Sequence, residues 1–205
     1  MIGIYTALFG VYDKPSSAPY GGTIFTDQDV SADGWDVVQV ERPMSDPRYA
    51  SRFYFDQSCL VMSEYEYTIM HGANAQLKVD PIGLIDHLPD DIDIAVSKHP
   101  RPNVYVESEA CIKLNKDDKD VILEQMARYR DEGFPDDFPL SACILMIRRN
   151  TSRLAAFEDF WWNEVKNESC RDQLSFDYSR WKLGMSVHYL PHPIVTGKQI
   201  GRAHV

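Results

Sequence analysis

No stretch of the chain approaches the roughly 18 consecutive apolar residues that mark a membrane span, so no spanning segment is expected. Positive charge is scarce as well: 21 Lys and Arg stand against 31 Asp and Glu, a net charge of −10. Generic binding to a nucleic-acid backbone needs Lys and Arg to displace condensed counterions, which leaves room here only for a local basic pocket. C-x-x-C pairs are missing, and the four cysteines (Cys59, Cys111, Cys143, Cys170) are far apart. They would permit three pairings if oxidised. No basic segment precedes the first strand-like residues, so the expectation is a cytoplasmic protein with reduced, mostly buried thiols. Neither a G-x-G-x-x-G turn nor a Walker loop is present. Internal repeats and low-complexity linkers are also absent, so 205 residues are expected to form one domain.

What is present is strand and helix in alternation. MIGIYTALFG (1–10), GGTIFTD (21–27) and WDVVQVE (35–41) read as strands. A helix follows, with Asp46 as N-cap, Pro47 at the first position, and Tyr49, Phe53 and Leu60 on one face. YEYTIMHGANAQL (65–77) is a buried strand entering a glycine turn, and Asp80-Pro81 starts a helix with Leu84, Ile85 and Leu88 inward. DIDIAVSKH (91–99) is a strand. Ile122, Met126 and Tyr129 define a helix over 117–132, closed by Gly133. SACILMIRR (141–149) is a strand, Leu154, Phe157, Trp161 and Val165 face inward from a helix, and SVHYLP (186–191) is a last strand. This order predicts an α/β fold, a mainly parallel sheet with helices on both faces. Ligands of such sheets bind beyond the carboxyl ends of the strands.

Several segments at strand ends could carry chemistry. In YTALFGVYD, Thr6 and Ala7 allow close approach of a ligand and Tyr12 can stack on a base; the alternative is a core strand with a glycine turn. Asp27 can accept from a uracil N–H or a ribose hydroxyl, or can simply form a turn. Arg48 and Arg52 share a helical face and can meet a diphosphate, or form a solvated basic face. Hard Mg²⁺ or Mn²⁺ prefers oxygen ligands, yet MHGANAQL offers no carboxylate, leaving His71 and Asn74 as weak metal candidates that also suit structural roles. SKHPRPNVYVESEAC places Lys98, His99 and Arg101 after a strand, then Glu107 and Glu109, which fits an anionic ligand or an exposed Pro-flanked loop. In CRDQLSFDYSRWKLG, Asp172 suits an N-cap, while an Asp and Gln173 in a cleft also suit contact with a reacting hydroxyl and with sugar hydroxyls.

In that order, YTALFGVYD, FTD, DPRYASRFYF, YEYTIMHGANAQLKVDP, DIAVSKHPR, EQMARYRDEGFP and RDQLSF…WK resemble a glycosyltransferase-like family long catalogued as a domain of unknown function. It includes plant turgor-regulation and seed-mucilage proteins. The resemblance runs over residues 1–192. It implies a GT-A-like, Rossmann-like sheet, a nucleotide-sugar donor such as a UDP-sugar, a hydroxyl acceptor and a divalent metal. It places Thr6, Ala7, Tyr12, Asp13 and Asp27 at the nucleotide, Arg52 at the diphosphate, Asp172 and Gln173 at the sugar and acceptor, and His99 and Arg101 in a basic strand-end motif. Where relatives typically read Trp-Ile-Asp-Gly-Asn, this chain reads Met70-His71-Gly72-Ala73-Asn74, with Gly72 at the expected metal-binding aspartate. Either His71, Lys98 or Arg101 neutralises the leaving diphosphate in place of a metal, or catalysis has been lost. The expectation is therefore a glycosyltransferase. Its alternatives are a catalytically degenerate nucleotide-sugar-binding module and a phage-type transferase acting on DNA bases. Residues 193–205 are expected to be an irregular tail. IGRAHV matches one reading frame of a sequencing adapter, so the natural protein is expected to continue differently beyond about residue 195.

Overall fold

The computed structural model describes residues 1–11, 13–86 and 88–191; Tyr12 and the tail at 193–205 lie outside the described residues. Along the chain come β1 (Ile2–Leu8), β2 (Thr23–Thr26), β3 (Asp36–Gln39), α1 (Pro47–Asp56), α2 (Ser58–Val61), β4 (Tyr67–His71) and α3 (Pro81–Ile85). Then follow β5 (Ile94–Lys98), α4 (Val104–Lys113), α5 (Lys119–Asp131), β6 (Ser141–Arg149), α6 (Ser152–Asn167), α7 (Asp172–Leu183) and β7 (His188–Tyr189). Both Asp-Pro starts form as expected: Asp46 accepts from the Arg48 N–H and Asp80 from the Ile82 N–H, each with proline at the head of the helix.

One sheet runs in the order β3-β2-β1-β4-β6-β5-β7. The pairings β1·β2, β1·β4, β2·β3 and β5·β7 are parallel, while β6 runs antiparallel to both β4 and β5. The sheet is thus mainly parallel, as expected, with one reversed strand that strand-length apolar runs do not announce. That reversal has a consequence for the site. Ser141 at the start of β6 pairs with Lys98 at the end of β5, and Leu145 pairs with His71 at the end of β4, so the entrance of β6 joins the carboxyl ends of its neighbours. The β5·β6 ladder also shifts register between Val96 and Ser97. The extra β6 residues are Cys143 to Leu145, a bulge of the kind that re-aims side chains beside sites.

Alternation along the strands feeds two cores. Tyr5, Met70, Val96 and Met146 pack with Phe157 and Trp161 of α6 and Phe176 of α7. Ile69, Ala95, Leu145 and Ile147 face the other way, toward Leu84 and Leu88. Each large side chain buried in this way contributes about 1.5–3 kcal/mol. A further apolar cluster ties α4 and α5 to α7 through Val104, Ile122, Tyr129, Leu174 and Tyr178. All four cysteines are free, and three of them are buried.

Three local expectations are corrected. Residues 104–113, expected as part of a Pro-flanked loop, form α4, capped by the Asn103 side chain on the Val106 N–H at 2.9 Å. Helix α1 stops at Asp56 and α2 begins separately, which leaves Leu60 61% exposed instead of inward. Arg171, not Asp172, is the N-cap of α7, and Asp172 is its first helical residue. Among the described residues, no helix is long and apolar enough to cross a membrane.

Candidate functional site

The chain builds β1, β2 and β3 outward in one direction and then returns to lay β4 on the other side of β1. The crevice at the carboxyl ends of β1 and β4 is therefore a topological switch point, where α/β sheets bind ligands. Two adjoining cavities open there. One, of about 280 Å³, is lined by Met70 and Gly72, by Cys143 on the β6 bulge, and by His99, Arg101, Glu107, Asp172 and Gln173. The other, of about 360 Å³, is lined by Ala7, Leu8, Phe9, Asp13, Arg48 and Ala73. Arg52, Phe55, Lys116 and Arg171 line both, and form the wall between them.

Each side chain of that wall is held by local structure. Arg52 sits on α1, and its guanidinium meets the Asp172 carboxylate at 3.0 Å. The start of α7 is fixed by the Trp161 indole N–H, which donates to the Asp172 carbonyl at 3.0 Å. Asp117 accepts from the Cys170 N–H and the Ser169 hydroxyl, both at 2.8 Å, and so sets the loop that carries Arg171. Asp177 accepts from the Ser141 N–H at 2.6 Å and its hydroxyl at 2.7 Å, anchoring α7 to the entrance of β6. Lys116 is delivered by a helix stop: Asn115 takes the left-handed conformation at φ 49, and the Lys116 N–H returns to the Cys111 carbonyl at 2.9 Å.

The cations of the cleft divide into two kinds. Arg48 is paired with Asp46 at 2.8 Å and with Asp117 at 3.1 Å, Arg52 with Asp172, and Arg101 with Glu107. Arg171 and Lys116 have no ion pair among the described residues, and the Arg171 Nε is shielded from solvent without any hydrogen-bond partner. Burial is the largest single influence and disfavours the Arg171 charge, but Asp172 together with Cys111, Cys170 and Glu107 outweighs it and leaves the pKa raised, so the residue stays protonated. Behind the wall, both carboxylate oxygens of Asp56 are buried and unpartnered. Burial first, and the charge of Asp172 second, push its pKa well above the ordinary carboxylate range. Burial lowers the His99 pKa, leaving a neutral imidazole at pH 7. It pushes the Cys111 thiol up to about 11 and that of Cys170 up to about 12, so neither supplies a thiolate nucleophile.

Of the residues selected from sequence, Asp172, Gln173, Arg52, His99 and Arg101 come together on one cavity, and Ala7, Asp13, Arg48 and Arg52 on its neighbour. The structure does not bring the others there. Thr6 is fully buried in the sheet, and its hydroxyl has no partner. Asp27 is turned to Arg42, Lys98 is exposed at the end of β5, and Glu109 is exposed on α4. His71 is 2% exposed and packs against Trp35 at 5.3 Å, on the face of the sheet opposite Met70. Sequence reasoning passed over Lys116, Asp117 and Asp56, and did not assign Arg171 a role. The signal for Lys116 was the Asn115 helix stop, which a loop reading of 99–111 concealed.

The residues present do not fit the divalent metal that the GT-A likeness implies. Among the described residues, no group of three His, Cys, Asp or Glu could hold a metal ion. Gly72 contributes no side chain, His71 lies on the wrong face, and the Asn74 amide donates to the Asp13 carboxylate at 3.1 Å.

The family model for the TOD1/MUCI70, glycosyltransferase-like domain matches residues 20–192. Two curated proteins of Arabidopsis thaliana are similar. "Alkaline ceramidase TOD1" is 33% identical over 129 residues, 56% of this chain and 28% of that protein. "Probable hexosyltransferase MUCI70" is 28% identical over 169 residues, 76% of this chain and 29% of that protein. The chain thus spans less than a third of the length of these relatives. Among solved structures, the apo form of the bifunctional glycosyltransferase WbbM superposes with a TM-score of 0.51 at 13% identity, over 90% of this chain and 40% of that one, a likeness of fold. With a match that covers residues 20–192 of 205, the chain belongs to the family of TOD1/MUCI70 glycosyltransferase-like domains.

Proposed function

We propose that the cleft transfers a sugar from a nucleoside-diphosphate donor, with UDP-sugars the first class to test, to a hydroxyl acceptor. The observation that carries this reading is the pair of cavities divided by a cationic wall. The cavity beside Ala7 and Asp13 receives the nucleoside, the wall receives the diphosphate, and the cavity beside Asp172 and Gln173 receives the sugar and acceptor. The acceptor oxygen forms its bond to the anomeric carbon as the bond from that carbon to the diphosphate oxygen breaks. The electron pair leaves with the diphosphate, and the hydroxyl proton passes to the Asp172 carboxylate, which Arg52 holds in place. Positive groups beside the departing oxygen stabilise the charge that develops there.

Asp172→Asn keeps the shape of the side chain and removes its capacity to take a proton. Release of UDP from UDP-hexoses is expected to fall by about 10²–10⁴-fold, with a cooperative thermal melt that shows the variant folded and with retained UDP binding. Undiminished turnover by this variant would remove the role given to Asp172.

The absence of a carboxylate at Gly72 favours a second reading, a module that binds nucleotide sugars without turnover. Donor-dependent stabilisation in thermal-shift measurements, with no slow release of UDP, would select it. One relative is named as a ceramidase, and fatty-acid release from ceramide in the same preparation would instead favour amide hydrolysis.

A further inference from the structure

We infer that this cleft neutralises a diphosphate without a divalent metal, through the two unpaired cations Arg171 and Lys116. The inference rests on the nucleotide-sugar reading and concerns the charge balance of the same site. The Arg171 Nε is shielded from solvent without a partner, an arrangement that proteins ordinarily avoid by pairing. Here the fold has carboxylates within reach and uses them elsewhere. Asp172 is turned to Arg52, Glu107 to Arg101, and Asp117 to Arg48 and to the loop before α7. Arg171 and Lys116 are left open, both on the wall shared by the two cavities, where a bridging pyrophosphate would lie. Two fixed positive charges at that wall equal the charge of one divalent ion.

The cations named from sequence for this task are either off the cleft or already engaged. His71 is packed behind the sheet, Lys98 is exposed, and Arg101 is already paired. The geometry at Gly72 also shows what a metal site would require. A Cβ placed there would meet Ile144 Cγ1 at 3.5 Å and Asn74 Oδ1 at 3.6 Å, ordinary contacts, and the glycine is not in the left-handed region. An aspartate would therefore fit, and would place its carboxylate beside Asn74 and the Asp13 carboxylate bonded to it. The chain lacks one oxygen donor of a hard-cation site that its backbone can accommodate.

The test is calorimetric titration of the full chain with UDP and with inorganic pyrophosphate, in excess EDTA and in manganese chloride. The expected result is binding of both in EDTA, with affinities within about twofold of those in manganese. Arg171→Met and Lys116→Met, each confirmed to be folded by its thermal melt, are expected to lose about tenfold or more in affinity. Gly72→Asp is expected to gain manganese binding that the parent lacks, read from the spectrum of the Mn²⁺ ion. UDP binding that appears only with manganese, or affinities unchanged in both Met variants, would overturn the inference and leave the nucleotide-sugar reading standing. Failure of UDP to bind in either buffer would overturn that reading itself.

Discussion

Arg148 is a buried arginine and Arg171 a half-buried one with a shielded Nε; both lie less than one helix length of sequence from α6, and their surroundings differ completely. Arg148 is 1% exposed under α6, where its guanidinium meets Glu158 at 3.0 Å and donates to the Tyr5 hydroxyl at 3.2 Å. Glu158 in turn accepts from the Ser58 hydroxyl and from the Cys59 N–H at 2.8 Å. That charge is closed within the fold. Arg171 faces a cleft, and its Nε meets nothing. A buried cation whose partners are all internal belongs to the architecture, whereas a cation on a cleft wall with an unpartnered Nε and no ion pair among the described residues marks a place for a ligand.

Substitution breaks this comparison most strongly at the closed site. Arg148→Met strands Glu158 in an apolar interior, and urea denaturation is expected to show a loss of about 3–5 kcal/mol. Arg171→Met strands nothing, and its stability is expected to stay within about 1 kcal/mol of the parent. Equal losses in the two variants would mean that Arg171 is structural.

Asp56 lies between the two regions and sharpens the contrast through pH. Its folded-state pKa is raised above 3.8, by burial and by Asp172, so the folded chain keeps a proton that the unfolded chain releases. The stabilising contribution is present below the unfolded pKa and is lost as pH rises through the folded value. For one proton the slope reaches about 1.4 kcal/mol per pH unit in that window. Asp56→Asn mimics the protonated form, so urea midpoints of the variant are expected to exceed those of the parent increasingly as pH rises from about 4. Parallel profiles would show that Asp56 is ionised in both states. The smallest effect belongs to the surface, where Arg130 and Asp136 pair at 3.2 Å with half or more of each side chain in solvent. Arg130→Ala is expected to cost about 0.5 kcal/mol or less, and to lose even that in high salt.

Much of the fold was legible because its signals are local. Asp-Pro helix starts, the Ile122, Met126 and Tyr129 stripe, and the apolar strands each lie within a few residues and carry their own period. The helix at 104–113 was hidden by the prolines before it, although Asn103 and Asn115 bound it at either end. The site was legible only in part. Asp172, Gln173, Arg52, His99 and Arg101 stand at strand or helix ends, where ligands gather, and they line one cavity. Asp27 and Lys98 stand at strand ends too, yet they face Arg42 and solvent.

By itself the sequence determined the order of strands and helices, the scarcity of positive charge and the missing carboxylate at Gly72, because each is a property of one segment or of composition. Only the tertiary structure decided that β6 runs antiparallel, that His71 lies behind the sheet, and that Arg171 and Lys116 share a wall with no ion pair among the described residues. Pairing is a relation between residues up to 120 positions apart, such as Arg52 and Asp172. Which cation remains unpaired emerges only after every carboxylate has been placed.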